Sequence, residues 1–314
     1  MESLKPALEI IKCSSLSQNI LNLYNSGMPP GDSTQWPTMD PFYTVMPGQW
    51  TLITGVPSHG KSTWLDCLTV NMARIGWRFA IFSPEQEPIE AHMALLAEKV
   101  SQKPFRKGFN GCMGKPELAQ AIKFIDEHYK FLKAPEDSLT IPSLFDVMQY
   151  AGVAIDEWRD YDTGKEQRYG IVIDPWNELN HDMQADATET KYICEMLGMM
   201  RRYARNINAH IFLVAHPKMM VKNPKTGEYP IPKPYDISGS AHWYNKADNC
   251  ITVWRQEEGN ITEIHVLKVR FRHIGKRGVV PLVFDVGTGT YADLGTSRIF
   301  CAPTHLNHAA TDDF

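Results

Sequence analysis

The run Gly55-Val56-Pro57-Ser58-His59-Gly60-Lys61-Ser62-Thr63 fits the spacing G-x-x-x-x-G-K-[ST], and the chemistry this pattern serves is the holding of a polyphosphate. Gly55 and Gly60 permit backbone angles that a Cβ would block, so successive N–H groups can turn inward around phosphate oxygens. Lys61 carries the charge that would meet the β- and γ-phosphates. Ser62 carries the hydroxyl that would hold Mg²⁺, and the helix beginning there adds a favourable dipole. The flanks suit a phosphate loop. Trp50-Thr51-Leu52-Ile53-Thr54 enters as an apolar strand, and Thr63-Trp64-Leu65-Asp66-Cys67-Leu68 leaves with helical character. A chance glycine-rich turn would need neither. The chain is expected to bind a nucleoside triphosphate with Mg²⁺ through Gly55, Pro57, Ser58, His59, Gly60, Lys61, Ser62 and Thr63.

Three more apolar runs end in polar residues. Arg78 to Ser83 reads as a buried strand and runs into Pro84-Glu85-Gln86-Glu87-Pro88. An acid at the C-terminal end of a strand near a P-loop lies where open α/β sheets bind ligands. Glu85 is thus a candidate base for an attacking water; on position alone, a solvated turn acid capping the next helix describes it equally well. Tyr169-Gly170-Ile171-Val172-Ile173-Asp174 ends in an acid of Walker B type, which would hold a water of the Mg²⁺ shell shared with Ser62. Ala209 to Ala215 delivers His216. A lone histidine is more often structural, but third in a series of polar strand ends it reads better as a γ-phosphate sensor.

Basic residues gather in one long loop. Residues 218–235 carry Lys218, Lys222, Lys225 and Lys233 among prolines, and long loops within compact domains usually have a function or no fixed structure. Such a loop could touch a phosphate backbone through Lys218, Lys222 and Lys225. A solvated surface loop is the equal alternative on charge alone.

The elements that must position these groups follow from periodicity. Helices are expected over 61–75, 89–101, 116–129, 142–157 and 189–208. A short strand is expected near 131–133, and later strands over 249–255, 262–268 and 279–284, with a basic hairpin tip at 271–278. Early alternation of strand and helix with late clustering of strands predicts an α/β fold: a mostly parallel central sheet flanked by helices, with a C-terminal antiparallel β extension. Residues 1–46 form a leader, with a short amphipathic helix over Leu16 to Tyr24 capped by Ser15 or Ser17; it either packs on the core or docks on a neighbouring subunit. The ATPase domain is expected over 47–296, and 297–314 as a disordered polar tail.

With 314 residues, 43% hydrophobic and 22% charged, the composition is that of a soluble globular protein. A net charge of -4 excludes a global basic field, so any anionic partner must meet local basic loops. The six cysteines are scattered without zinc-ligand spacing, which suits reduced thiols in a cytosol-like compartment. No stretch reads as a signal peptide or a membrane span.

Taken in order, the P-loop, Phe82-Ser83-Pro84-Glu85, Ile173-Asp174-Pro175-Trp176, Ala215-His216-Pro217, the segment from Ser240 to Asp248, and Lys268-Val269-Arg270-Phe271 resemble the RecA-like P-loop NTPase motor domain of DnaB-type replicative helicases. The likeness is greatest to the phage primase-helicase and mitochondrial Twinkle branch, and covers about residues 20–290. It implies a ring, usually a hexamer, with ATP between subunits. Glu85 then corresponds to the catalytic glutamate, Asp174 to the Walker B aspartate, and His216 to the sensor that is often Gln in recombinases. Lys268 and Arg270 correspond to the basic pair that reaches a neighbour's γ-phosphate, Arg270 being the arginine finger. Segments 177–188 and 217–238 would be the channel loops that hold single-stranded DNA. Family members often carry a primase domain before the motor; the chain before Gly55 is too short for one, so the expectation is a helicase-only protein or a fragment. A primase or polymerase is the expected partner, in the cytoplasm of a bacterial or phage-infected cell. The competing expectations are a filament-forming RecA/RadA-type recombinase and an ATP-switched assembly or loader module.

Overall fold

The computed structural model describes residues 8–105, 111–135, 138–161, 167–183, 188–222, 224, 227, 229–239, 241–256 and 259–295. Lys225, the expected tail and parts of both expected channel loops lie outside the described residues.

One nine-stranded sheet runs through the molecule in the order β3-β2-β4-β5-β1-β6-β7-β8-β9. Its parallel part consists of β1 (Trp50–Thr54), β2 (Trp77–Phe82), β3 (Tyr129–Phe131), β4 (Arg168–Ile173), β5 (Ala209–Val214) and β6 (Asn249–Arg255). The antiparallel extension is β7 (Ile261–Val269), β8 (Gly278–Asp285) and β9 (Thr290–Asp293). The parallel strands read as unbroken apolar runs because both faces are covered. Along them side chains alternate: Ile53 and Phe212 enter one core with Trp64, Leu68 and Leu96, while Leu52, Ile211 and Leu213 enter the other with Ile155, Leu197 and Met200. The first core lies under α2 (Lys61–Arg74), α3 (Ile89–Ser101) and α4 (Lys115–His128), the second under α5 (Leu144–Tyr161) and α6 (Glu189–Asn206).

The expected α/β class and antiparallel extension are present, with local differences. The short strand is Tyr129–Phe131, displaced towards the N-terminus from 131–133, because Tyr129 pairs with Phe79 and its buried ring stacks on it. A five-residue helix, α7 (His242–Lys246), and β9 have too few residues for their periodicity to be visible in sequence.

The expected leader behaves as two pieces. Trp36, Met39, Tyr43 and Val45 are buried in the first core, and the Trp36 indole donates to the Tyr291 carbonyl, so residues 31–46 belong to the packed unit. Its first helix, α1 (Ser17–Ser26), buries nothing: Leu16, Ile20, Leu21, Leu23 and Tyr24 are all exposed. Neither expected serine caps it; Leu16 is the N-cap, after a 3₁₀ turn over Cys13–Leu16.

Candidate active site

The expected phosphate-binding loop leaves the C-terminal end of β1 and closes on Lys61, the first residue of α2. Gly55 has φ 156°, and a Cβ there would collide with the Val253 carbonyl. Gly60 has φ 85°, and a Cβ there would stand 2.7 Å from the Tyr291 hydroxyl and 3.1 Å from an Arg255 guanidinium nitrogen. Gly55 is thus required by close approach to backbone, and Gly60 by its left-handed dihedral angle. His59 is held by its ring, whose Nδ1 accepts from the Arg255 amide at 3.0 Å. The Lys61 ammonium donates to the Gly55 and Val56 carbonyls, each at 3.2 Å. Burial lowers its pKa, while the charges of Asp174 and Glu85 act to raise it.

Parallel pairing brings the other polar strand ends to this edge. Val214 lies beside Ile53, Ile173 beside Leu213 and Phe82 beside Ile173. Asp174 is almost fully buried, which pushes its carboxyl up to about 6 in spite of a hydrogen bond with Ser62; the carboxylates of Asp66 and Glu85 add to the rise and Lys61 opposes it. Its Oδ1 is buried and has no hydrogen-bond partner among the described residues. Glu85 sits on a 3₁₀ turn (Pro84–Gln86), with Oε1 3.3 Å from His216 Nε2. It does not cap α3, whose N-cap is Pro88 with no side-chain bond. The His216 amide donates to Asn177 Oδ1 at 3.0 Å, which fixes where the imidazole leaves the strand end.

The chain is 36% identical over 279 residues to the chloroplastic/mitochondrial Twinkle homolog protein of Arabidopsis thaliana, an alignment covering 84% of this chain and 36% of that protein. It therefore spans little more than a third of this relative's length. Among solved structures, one ATPase domain superposes with a TM-score of 0.72 at 18% identity, covering 90% of this chain and all of that domain. A DnaB-like replicative helicase, whose structure was described with its interactions with primase, gives the same TM-score and identity, covering 90% of this chain and 68% of that one. The chain is thus related in sequence to the Twinkle homolog over most of its own length and shares the fold of these two solved structures. No protein-family model matches it.

The two basic residues that the sequence resemblance singles out lie away from the chain's own P-loop. Lys268 and Arg270 stand at the end of β7, which runs antiparallel to β6; Val269 is level with Asn249, and Asn249 is level with Thr51 near the start of β1. The P-loop follows the other end of β1. At about 3.3 Å per residue, the strand alone puts more than 10 Å between them. Arg270 Nε is 2.7 Å from Asp248 Oδ1, a close ion pair without hydrogen-bond alignment, and its guanidinium donates to the carbonyls of Asn245, Lys246 and Ala247 at the end of α7. Lys268 donates to the Tyr244 and Asn245 carbonyls and lies 4.9 Å from the Tyr244 ring centroid.

Of the expected channel loops, residues 217–238 are pinned at the base. Pro217 bridges Ile237, and the Lys218 amide donates to the Asp236 carbonyl at 2.8 Å. Met219 and Val221 are exposed beyond this base, and the Lys222 ammonium lies 5.1 Å from the Tyr229 ring centroid. The segment 177–188 begins as packed structure: Trp176 stacks on His181 at 4.6 Å and meets Trp243 edge-on.

Sequence reading missed several groups at this site. Arg255 and Tyr291 reach the P-loop from β6 and β9, and Asn177 positions His216; nothing local marks any of the three. Asp66, buried on the P-loop helix, and His92, buried on α3 beside it, were also missed. Their only local signal is a polar residue among the apolar positions of a helix.

Proposed function

We propose that this chain is the ATP-hydrolysing motor of a replicative DNA helicase. Copies assemble in a ring, hydrolyse MgATP at their interfaces, translocate on single-stranded DNA and displace the complementary strand. The observation that carries this reading is the split of the polar residues between the two ends of the sheet. Lys61, Ser62, Glu85, Asp174 and His216 meet at one end, while Lys268 and Arg270 stand at the other. In a head-to-tail ring the second group of one copy faces the first group of the next.

Ser62 and Asp174 would hold Mg²⁺: a hydroxyl beside a buried carboxylate with an unused oxygen is a donor set for a hard cation. When bound, the ion supplies charge neutralisation at the β- and γ-phosphate oxygens. Lys61 neutralises the same phosphates from the loop. Glu85 takes a proton from the attacking water, and His216, in contact with Glu85, senses the γ-phosphate. Arg270, released from Asp248, supplies the finger to a neighbour's site, with Lys268 beside it.

Ring formation gives α1 a role. Its exposed apolar face matches an apolar groove of about 380 Å³ between α3 and α4, lined by Met93, Ala97, Phe105, Leu118, Ile122 and Ile125. We assign α1 to the groove of a neighbouring copy. Single-stranded DNA is proposed to run along residues 217–238, a primase or polymerase to be the outside partner, and the cytosol of a bacterial or phage-infected cell to be the setting. Among the described residues no helix is long and apolar enough to cross a membrane.

Strand displacement on a forked duplex tests the reading. The wild-type chain should release the labelled strand with MgATP, whereas Glu85→Gln should bind ATP and DNA yet release none. ATP turnover with the fork left intact would favour the recombinase or loader instead.

A further inference from the structure

We propose that Asp66 and His92 are positioning residues for ATP hydrolysis, a buried strut that sets the Glu85 turn against the P-loop helix. The inference rests on the ATPase reading above. Asp66 lies one helical turn beyond Ser62 on α2, and His92 lies in the first turn of α3. Their side chains meet with His92 Nε2 3.0 Å from Asp66 Oδ1, at 2% and 5% exposure respectively.

The chain path makes this contact consequential. Glu85 occupies a 3₁₀ turn that is followed by Glu87, Pro88 and then α3. Pro84 and Pro88 restrict the backbone on both sides of Glu85, so the turn has little freedom apart from α3. α3 in turn is tied to α2 at both ends. At the phosphate end the tie is Asp66–His92; at the far end the Arg74 guanidinium donates to the Lys99 and Val100 carbonyls at 3.0 and 3.1 Å. Between them Leu96 and Ala97 pack in the same core as Leu65 and Leu68. Displacing His92 would therefore swing the start of α3, and with it Glu85, relative to Lys61 and Ser62.

Stability alone is a poor reason for these residue types. Burying a carboxylate costs several kcal/mol on the general scale, and an apolar pair of similar volume is often as stable. The surroundings would accept one, since the Phe131 ring already packs edge-on against His92 at 5.5 Å. What the polar pair provides is direction: a hydrogen bond fixes distance and angle where apolar surfaces would slide. Displacements of about 1 Å at a reacting group can cost on the order of 10²-fold in rate.

The test compares His92→Leu with His92→Gln, whose amide nitrogen can stand in for Nε2. Each is measured for thermal stability, affinity for a fluorescent ATP analogue, and steady-state ATP turnover in the assembled full chain. The strut requires His92→Leu to keep nucleotide affinity and lose kcat by on the order of 10²-fold, and His92→Gln to recover most of it. Wild-type kcat in His92→Leu would overturn the proposal. So would equal losses in both variants, or a loss of affinity and stability together that accounts for the lost turnover. Where His92→Leu does not fold, Asp66→Asn carries the test, with lowered kcat at unchanged affinity expected and unchanged kcat overturning it. Wild-type turnover, abolished in Glu85→Gln, is established first. Its absence would overturn the ATPase reading and the strut together, whereas its presence leaves the strut to stand or fall on the His92 variants.

Discussion

Arg270 Nε stands 2.7 Å from Asp248 Oδ1 at the end of the central strands opposite the P-loop, with Asp248 fully buried and Oδ2 accepting from the Trp50 amide at 3.3 Å. Arg201 approaches the same carboxylate at 3.2 Å. The arginine is held where it cannot reach a phosphate on its own Lys61. If it serves hydrolysis, it serves another copy's site.

That geometry predicts complementation. Lys61→Ala removes the cation that neutralises the β- and γ-phosphates but leaves Arg270 to be offered; Arg270→Ala leaves a sound P-loop without a finger. Each alone should lose on the order of 10³-fold or more in turnover. A mixture should recover part of it at interfaces that pair an intact loop with an intact finger. Turnover of mixed samples, with subunit exchange verified by fluorescence transfer, measures this; no recovery despite exchange would remove Arg270 from catalysis.

The raised pKa of Asp174 predicts a pH-dependent stability cost in the ligand-free chain. Its folded value, about 6, lies above the ordinary 3.8, so the folded state binds the proton more tightly. Asp174 thus favours folding when protonated, and that contribution is lost as pH rises from about 4 through 6. Asp174→Asn, which stays neutral, should be more stable than wild type at pH 8 by roughly 3 kcal/mol, the free energy of a shift of this size. The advantage should vanish near pH 4. Urea unfolding at both pH values without nucleotide reads it directly, and an equal difference at both would assign the effect to packing.

Single-stranded DNA is expected to depend on the lysines of the 217–238 loop. Neutralising Lys218, Lys222 and Lys225 together should weaken binding and lessen the salt slope by roughly 2, at about 0.7 per phosphate contact. Basal ATP turnover should hardly change. An unaltered slope across a salt series would move the DNA contact to the 177–188 segment.

Self-association is expected to rest on α1 and the α3/α4 groove. Ile20→Asp with Leu21→Asp should lower the oligomeric state without lowering the melting temperature of the subunit, because α1 buries no residue against its own chain. Ile122→Asp, at a position 56% exposed in the groove, should do the same from the other side. Light scattering distinguishes the cases; a persistent oligomer in Ile122→Asp would exclude the groove as the acceptor.

Much of the fold and of the candidate site was legible in one dimension. The P-loop is a local device whose glycines, lysine and serine act within nine consecutive residues, and the apolar runs of β1, β2, β4 and β5 announce strands covered on both faces. The strand-end positions of Asp174 and His216 were legible for the same reason, as the first polar residues after such runs. Spacing alone left Glu85 open between base and helix cap. The 3.3 Å contact with His216, across 131 positions of chain, comes from a parallel register that no local pattern encodes.

The remaining features depend on pairings distant in sequence. Reversal of β7 against β6 carries Arg270 to the end of the sheet away from Lys61, although both lie beside apolar strands in the sequence. Packing divides residues 8–46 into an exposed α1 and a buried stretch around Trp36, two segments of similar apolar content. Asp66 and His92 appear separately as single polar residues on helices and become a pair only when α2 and α3 lie side by side. Hydrophobic period and motif spacing are properties of neighbouring residues, so the sequence determines the strands, the helices and the phosphate loop. Register, strand reversal and helix packing join residues far apart in the chain, so only the tertiary structure decides which polar groups meet.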